Sequence, residues 1–181
     1  MRFVETALRG VWMIEPELLT DDRGWFARTF DVTEFEAHGL ETTVVQCNAS
    51  FNARRDTVRG MHYQAEPHGE AKLVRCVKGA IFDVALDLRL DSASYCRWHG
   101  VELSAENHRM LYLPRGVAHG FQTFENECEV VYQMSHEYVR EAARGVRWDD
   151  PAFAIAWPEP AGERTISDTD LAFPLFDLRT A

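Results

Sequence analysis

A period of two recurs in ten short segments of the chain and constrains its fold more than any other feature. In Phe82–Arg89, Val84, Leu86 and Leu88 alternate with Asp83, Asp87 and Arg89, the pattern of a strand with two unlike faces. Comparable runs are Val11–Glu15, Trp25–Phe30, Thr42–Phe51, Val58–Gln64, Lys72–Val77, Arg97–Leu103, Met110–Leu113, Val117–Phe124 and Cys128–Ser135. Turn formers such as Asn52, Pro67–Gly69, Gly79, Pro114–Gly116 and Asn126 separate them. Many short strands at this spacing specify an all-β sandwich or barrel rather than βαβ units. Helical signal is confined to Thr33–Glu36, with Thr33 as cap, Glu36 as its box partner and Gly39 as the stop. The proline-bearing tail from Trp157 has no sustained period and is expected to wrap the domain as loop and short helix. The 181 residues, 1–181, are expected to form one domain.

Composition narrows the function classes. The formal net charge is −10, which speaks against nucleic acid, whose phosphates call for a net basic face. A hydrophobic content of 46% provides enough apolar surface for a folded core. The longest apolar run, Ala152–Trp157, is too short to cross a bilayer, and Glu5 and Arg9 interrupt the place of a secretory signal. Cys47, Cys76, Cys96 and Cys128 form no C-x-x-C pair and are expected to be buried, reduced thiols. These features predict a soluble, cytoplasmic protein with neither a membrane nor a nucleic-acid partner.

Ionisable residues occupy strand faces that otherwise read as buried. Lys72 shares a face with Val74 and Cys76, and Tyr132 with Cys128, Val130 and Met134. His62 and Gln64 share a face of the preceding strand. If these faces line the interior, a Lys, a Tyr and a His converge in a low-dielectric cavity suited to proton transfer. A bulge would shift that facing.

The same residues carry a resemblance. The motifs include Asp21-Asp22-Arg23-Gly24-Trp25-Phe26, Gln46-x-Asn48-x-Ser50, Arg59-Gly60-Met61-His62-Tyr63-Gln64 and Lys72-Leu73-Val74-Arg75. They continue through Asp83–Arg89, Pro114–Phe121, Tyr132, Trp148-Asp149-Asp150-Pro151, Ile155-Ala156-Trp157-Pro158 and Ile166-Ser167-x-x-Asp170. In this order and over nearly the whole chain they resemble the dTDP-4-dehydrorhamnose 3,5-epimerase family. The resemblance implies a cupin-type jelly roll, a dTDP-4-keto-6-deoxyhexose substrate, no cofactor and no metal, and a homodimer. It implies His62 as general base, oriented by Asp170, with Lys72 steadying the oxyanion on the C4 keto oxygen. It further implies that Tyr132 returns a proton from the opposite face and that His119 lines the same cavity. For the nucleotide, it implies Arg23 and Arg59 at the diphosphate, Phe26 and Tyr138 sandwiching thymine, and Gln46 and Asn48 as polar contacts. Arg28 departs from the family's usual Glu, and Gln133, Arg140, Ala143 and Thr169 also depart from common family residues.

Two other readings use some of these residues. His62, Glu70 and His119 echo the ligand pattern of a metal-dependent cupin such as a dioxygenase, with Gln64 where such a site wants a second histidine. A sugar-nucleotide-binding module that has lost catalysis would keep the pocket without the proton chemistry.

Overall fold

The computed structural model describes residues 1–176. Its thirteen strands are β1 (Arg2–Glu5), β2 (Trp12–Glu15), β3 (Leu19–Asp21), β4 (Gly24–Phe26), β5 (Gln46–Asn52), β6 (Val58–Gln64), β7 (Lys72–Lys78), β8 (Ala80–Asp87), β9 (Trp98–Ser104), β10 (Met110–Leu113), β11 (Val117–Thr123), β12 (Cys128–Met134) and β13 (Ala143–Gly145). Two short helices, α1 (Val32–Ala37) and α2 (Asp168–Leu171), complete the described elements. A six-stranded antiparallel sheet has the order β1-β2-β10-β7-β12-β5, and a five-stranded one β13-β6-β11-β8-β9. The hairpin β3–β4 stands apart as a two-stranded sheet. The expected all-β class is therefore observed, and the ends of β6 and β10 fall where the alternation placed them. The alternation did not reveal β1, β3 and β13, each of only three or four residues.

Apolar clusters lie between the two large sheets and against part of each outer face. Between them lies a core that includes Val74, Leu111, Leu113, Val117, Phe121 and Val130. The outer face of the six-stranded sheet packs under α1, where Phe35 meets Ile14, Leu73 and Tyr112. The outer face of the five-stranded sheet packs under the C-terminal segment, where Met61, Val84 and Leu86 meet Val146 and Phe153. This explains β8: its apolar stripe faces the C-terminal cover, and Asp83 points inward between Ile81 and Ala85, fully buried. An inward carboxylate needs a partner, because an unpaired buried charge is costly.

Local chemistry accounts for α1, with one correction. The cap is Asp31, not Thr33; its side chain accepts from the Glu34 N–H, which makes Glu34 rather than Glu36 the acidic residue of the first turn. Arg28, the departure noted above, pairs with this same Asp31 at 3.3 Å. Gly39, at φ +69°, ends the helix as expected: its N–H reaches Glu36 O while that of Leu40 reaches Phe35 O. Cys76 and Cys128 are buried and all four thiols are free, but Cys47 is exposed because β5 is an edge strand.

The irregularity that matters most lies between β6 and β11. His62 pairs with His119 and Arg59 with Phe121, so three steps on β6 match two on β11. The extra residue is a β-bulge, and it turns Arg59 and His62 toward the same interior face, where strict alternation would separate them. Gly60 takes φ +126°, and a Cβ there would lie 2.5 Å from Gly120 Cα. Only glycine tolerates that conformation and that approach. Gly60→Ala is expected to cost about 1–3 kcal/mol from backbone strain, with the clash against Gly120 added to it, read as a lowered midpoint in urea melts; an unchanged midpoint would show that the bulge is dispensable.

Candidate active site

β5, β6, β7 and β12 present their even-numbered side chains to the space between the sheets at one end of the sandwich. There a cavity of about 490 Å³ is lined by Gln46, Asn48, His62, Gln64, Glu70, Lys72, Met134 and Tyr138, among others. His62 Nε2 lies 2.6 Å from Asp170 Oδ1. Asp170 comes from α2, whose cap Ser167 accepts from the Asp170 N–H. Its other oxygen accepts from the Gly60 N–H at 3.4 Å, so one carboxylate ties the histidine to the bulge that aims it. Burial would raise the Asp170 pKa, but the His62 hydrogen bond and charge outweigh it and hold the carboxyl below its usual value. An ionised Asp170 accepts the Nε2–H of His62, so in the neutral imidazole the lone pair is the one on Nδ1.

Lys72 and Glu70 form a buried pair, 7% and 6% exposed, with Nζ 2.9 Å from Oε1. The ammonium also donates to His62 O at 3.1 Å. Two of its three donors are thus held by protein, and the third is left at the cavity wall. Tyr132 stands one pleat deeper than Met134 on the same face of β12; neither it nor His119 is among the residues that line this cavity, which both were expected to share. Its hydroxyl lies 3.2 Å from Ser50 Oγ, and its ring packs edge-on against His119 at 5.9 Å. Burial pushes the Tyr132 phenol well above the ordinary tyrosine value, and the Ser50 bond offsets only part of that. His119 bonds Asp83 at 2.7 Å, which provides the partner that the inward carboxylate needs.

The expected nucleotide contacts are brought together only in part. Gln46, Asn48 and Tyr138 line the cavity. Arg59 faces inward through the bulge and donates to Asn52 Oδ1 at 2.7 Å. Arg23 and Phe26 lie instead on the exposed hairpin β3–β4, where Arg23 is paired with Asp21 and Phe26 is 71% exposed. Three supporting residues had no role assigned from sequence alone: Asp83 behind His119, Ser50 behind Tyr132 and Asn52 behind Arg59; Glu70, assigned only as a metal ligand in the alternative reading, is instead the partner of Lys72. The inward alternation of β5 (Asn48, Ser50, Asn52) is the signal that could have found two of them.

The three residues of the metal-cupin reading are each engaged elsewhere: His62 with Asp170, Glu70 with Lys72, and His119 with Asp83. No group of three His, Cys, Asp or Glu side chains among the described residues is placed to hold a metal ion.

Comparison with known proteins agrees with this arrangement. The family model for dTDP-4-dehydrorhamnose 3,5-epimerase matches residues 5–177. A dTDP-4-dehydrorhamnose 3,5-epimerase of Methanothermobacter thermautotrophicus is 46% identical over 171 residues, 93% of this chain and 91% of that protein. The crystal structure of the Elizabethkingia anophelis enzyme of the same name superposes with a TM-score of 0.94 at 36% identity, covering 97% of this chain and 96% of that one. A Legionella pneumophila 3,5-epimerase, solved in complex with dTDP-4-keto-L-rhamnose, gives 0.90 at 34% identity, covering 96% and 92%. The jelly-roll fold, the cavity and these matches together place the chain in the dTDP-4-dehydrorhamnose 3,5-epimerase family of isomerases.

Proposed function

We propose that His62 and Tyr132 epimerise a dTDP-4-keto-6-deoxyhexose at C3, C5 or both by proton transfer across the sugar ring. The observation that carries this reading is the convergence of a carboxylate-backed imidazole and a lysine ammonium on one cavity, with a protonated phenol on the same inward face. Hydrogens at C3 and C5 both flank the C4 carbonyl, so removing either gives an enolate whose charge rests on that one oxygen. His62 takes the proton through Nδ1, and Asp170 stabilises the imidazolium that results. The free donor of Lys72, whose own side chain is buried, meets the enolate oxygen, and a donor already fixed in place needs no reorganisation as charge develops there. Tyr132, kept protonated by burial, delivers a proton to the opposite face. Solvent then resets both groups, and the net change is one inverted centre.

Three outcomes test the roles. With dTDP-4-keto-6-deoxyglucose in deuterated water, His62→Ala is expected to incorporate no label at C3 or C5 by NMR; retained exchange would reject His62 as the base. Tyr132→Phe is expected to slow epimerisation far more than exchange, and equal slowing would remove Tyr132 as the returning acid. Asp170→Asn is expected to lower kcat by about a hundredfold with little change in KM, since it loosens the base and leaves substrate contacts in place.

The nucleotide end supports a homodimer. Edge strand β5 and the hairpin β3–β4 expose Phe51, Leu19, Trp25 and Phe26, apolar surface that a second copy would cover. Sedimentation is expected to give twice the 20.8 kDa chain mass; a monomer at micromolar concentration would overturn this.

A further inference from the structure

We infer that Gln64 is a positioning residue for Tyr138, and that this one buried side chain sets the affinity of the cavity for the nucleotide without entering the proton chemistry. The inference rests on the reading of Tyr138 as a platform for the thymine. Gln64 ends β6, two residues beyond His62 on the same inward face, and is 6% exposed. Every hydrogen-bonding direction it uses is spent on loop backbone. Its Oε1 accepts from the Val139 N–H at 2.6 Å, while its Nε2 donates to Glu137 O at 3.1 Å and His68 O at 3.0 Å. From β5, Gln46 Oε1 accepts from the Tyr138 N–H at 3.1 Å.

The backbone is therefore held immediately before, at and immediately after Tyr138, whose own side chain remains exposed at the cavity mouth. The other backbone bonds of this stretch run to the far end of the loop and the start of β13, where the N–H groups of Ala142 and Ala143 donate to Val139 O. The loop joins β12 to β13 and has no strand or helix of its own. An aromatic platform on a free loop would lose conformational entropy when a base settles on it; one held from two strands has already lost it. The bond to His68 O extends the same tether to the loop leading to Glu70 and Lys72, so Gln64 joins two walls of the cavity. A metal-binding cupin would want a histidine here, and an amide suits the position better: it supplies one acceptor and two donors to three backbone groups, where imidazole has two nitrogens.

The test uses Gln64→Met, which keeps the length and bulk of the side chain but offers no comparable hydrogen bond, beside Gln64→Glu, which keeps the acceptor for Val139 but turns oxygen toward two carbonyls. Binding of dTDP by calorimetry and steady-state kinetics are read for both, for Tyr138→Ala, and for the Gln64→Met/Tyr138→Ala double variant. Each Gln64 variant is expected to raise the Kd for dTDP about tenfold, the worth of one or two net hydrogen bonds, with kcat within about twofold of the parent. The double variant is expected to bind no more weakly than Tyr138→Ala alone, because one effect acts through the other. Penalties that multiply, or a fall in kcat at unchanged Kd, would overturn the inference. If Tyr138→Ala binds dTDP as the parent does, the platform reading fails by itself, separately from any effect of Gln64. A Gln64→Met protein that does not fold leaves the same cycle to be run with Gln64→Glu.

Discussion

The contact between Gly60 and Gly120 governs what the rest of the site can do. A regular ladder would turn Arg59 and His62 to opposite faces of β6, one toward the core and one toward the C-terminal cover. The bulge places both on the interior face, and the absence of side chains at both glycines lets the strands approach closely enough to hold it. Asp170 then accepts from the Gly60 N–H as well as from His62. The orientation of His62 is therefore set by backbone as much as by its carboxylate partner. A short C-terminal helix is sufficient for this, because it need deliver only one side chain to one spot.

Around that bulge the interior is polar yet mostly satisfied, through close pairs joined by a few further hydrogen bonds. His62 has Asp170, Lys72 has Glu70, His119 has Asp83, Tyr132 has Ser50, and Arg59 has Asn52, while Lys72 also donates to His62 O and Asn52 to Ser50 Oγ. Each pair limits the rotamers open to its members. Preorganisation of this kind is what electrostatic catalysis needs, since donors that are already oriented pay no reorganisation when charge develops. The pairs also suit the two jobs proposed for them. His62, the proposed base, is backed by an anion that would stabilise its protonated form, while the Tyr132 phenol meets a neutral hydroxyl and stays protonated through burial.

Much of this was legible in the chain, and the exceptions have physical causes. The inward stripe of Lys72, Val74 and Cys76 follows from alternation because β7 is central and regular over that stretch, its register shift against β12 falling just beyond, at Val77. The facing of Arg59 does not, because a bulge leaves no signal in periodicity beyond a glycine. The apolar stripe of β8 reads as the natural core face, yet it lies outward and Asp83 lies in; a strand buried on both sides gives alternation no solvent face to mark. Glu70 shows a limit of another sort. Its residue type fits a metal ligand or an ion pair equally well, and only the 2.9 Å approach of Lys72 decides between them. Arg23 and Phe26 were identified by motif, but their hairpin stands clear of the cavity in a single chain.

Stability alone does not account for the buried pairs. Removing two charges from water costs several kcal/mol per ion, and a close contact often does no better than offset it. Here the compensation is incomplete: Glu70 Oε2 and Asp83 Oδ2 are buried without a hydrogen-bond partner. Apolar side chains of similar volume at positions 70 and 72 would be expected to hold this sandwich at least as well. The apolar cores on either side, from Val74 and Leu111 between the sheets to Val84 and Leu86 beneath the C-terminal cover, carry that cost. What the Lys72–Glu70 pair provides instead is an ammonium at the cavity wall with two donors engaged and a third free, next to the carbonyl of His62. A single hydrogen bond thus relates the proposed base to the proposed oxyanion donor, so neither can shift far without the other. An enolate formed at either neighbouring carbon places its charge on the same oxygen. One such donor therefore serves both positions.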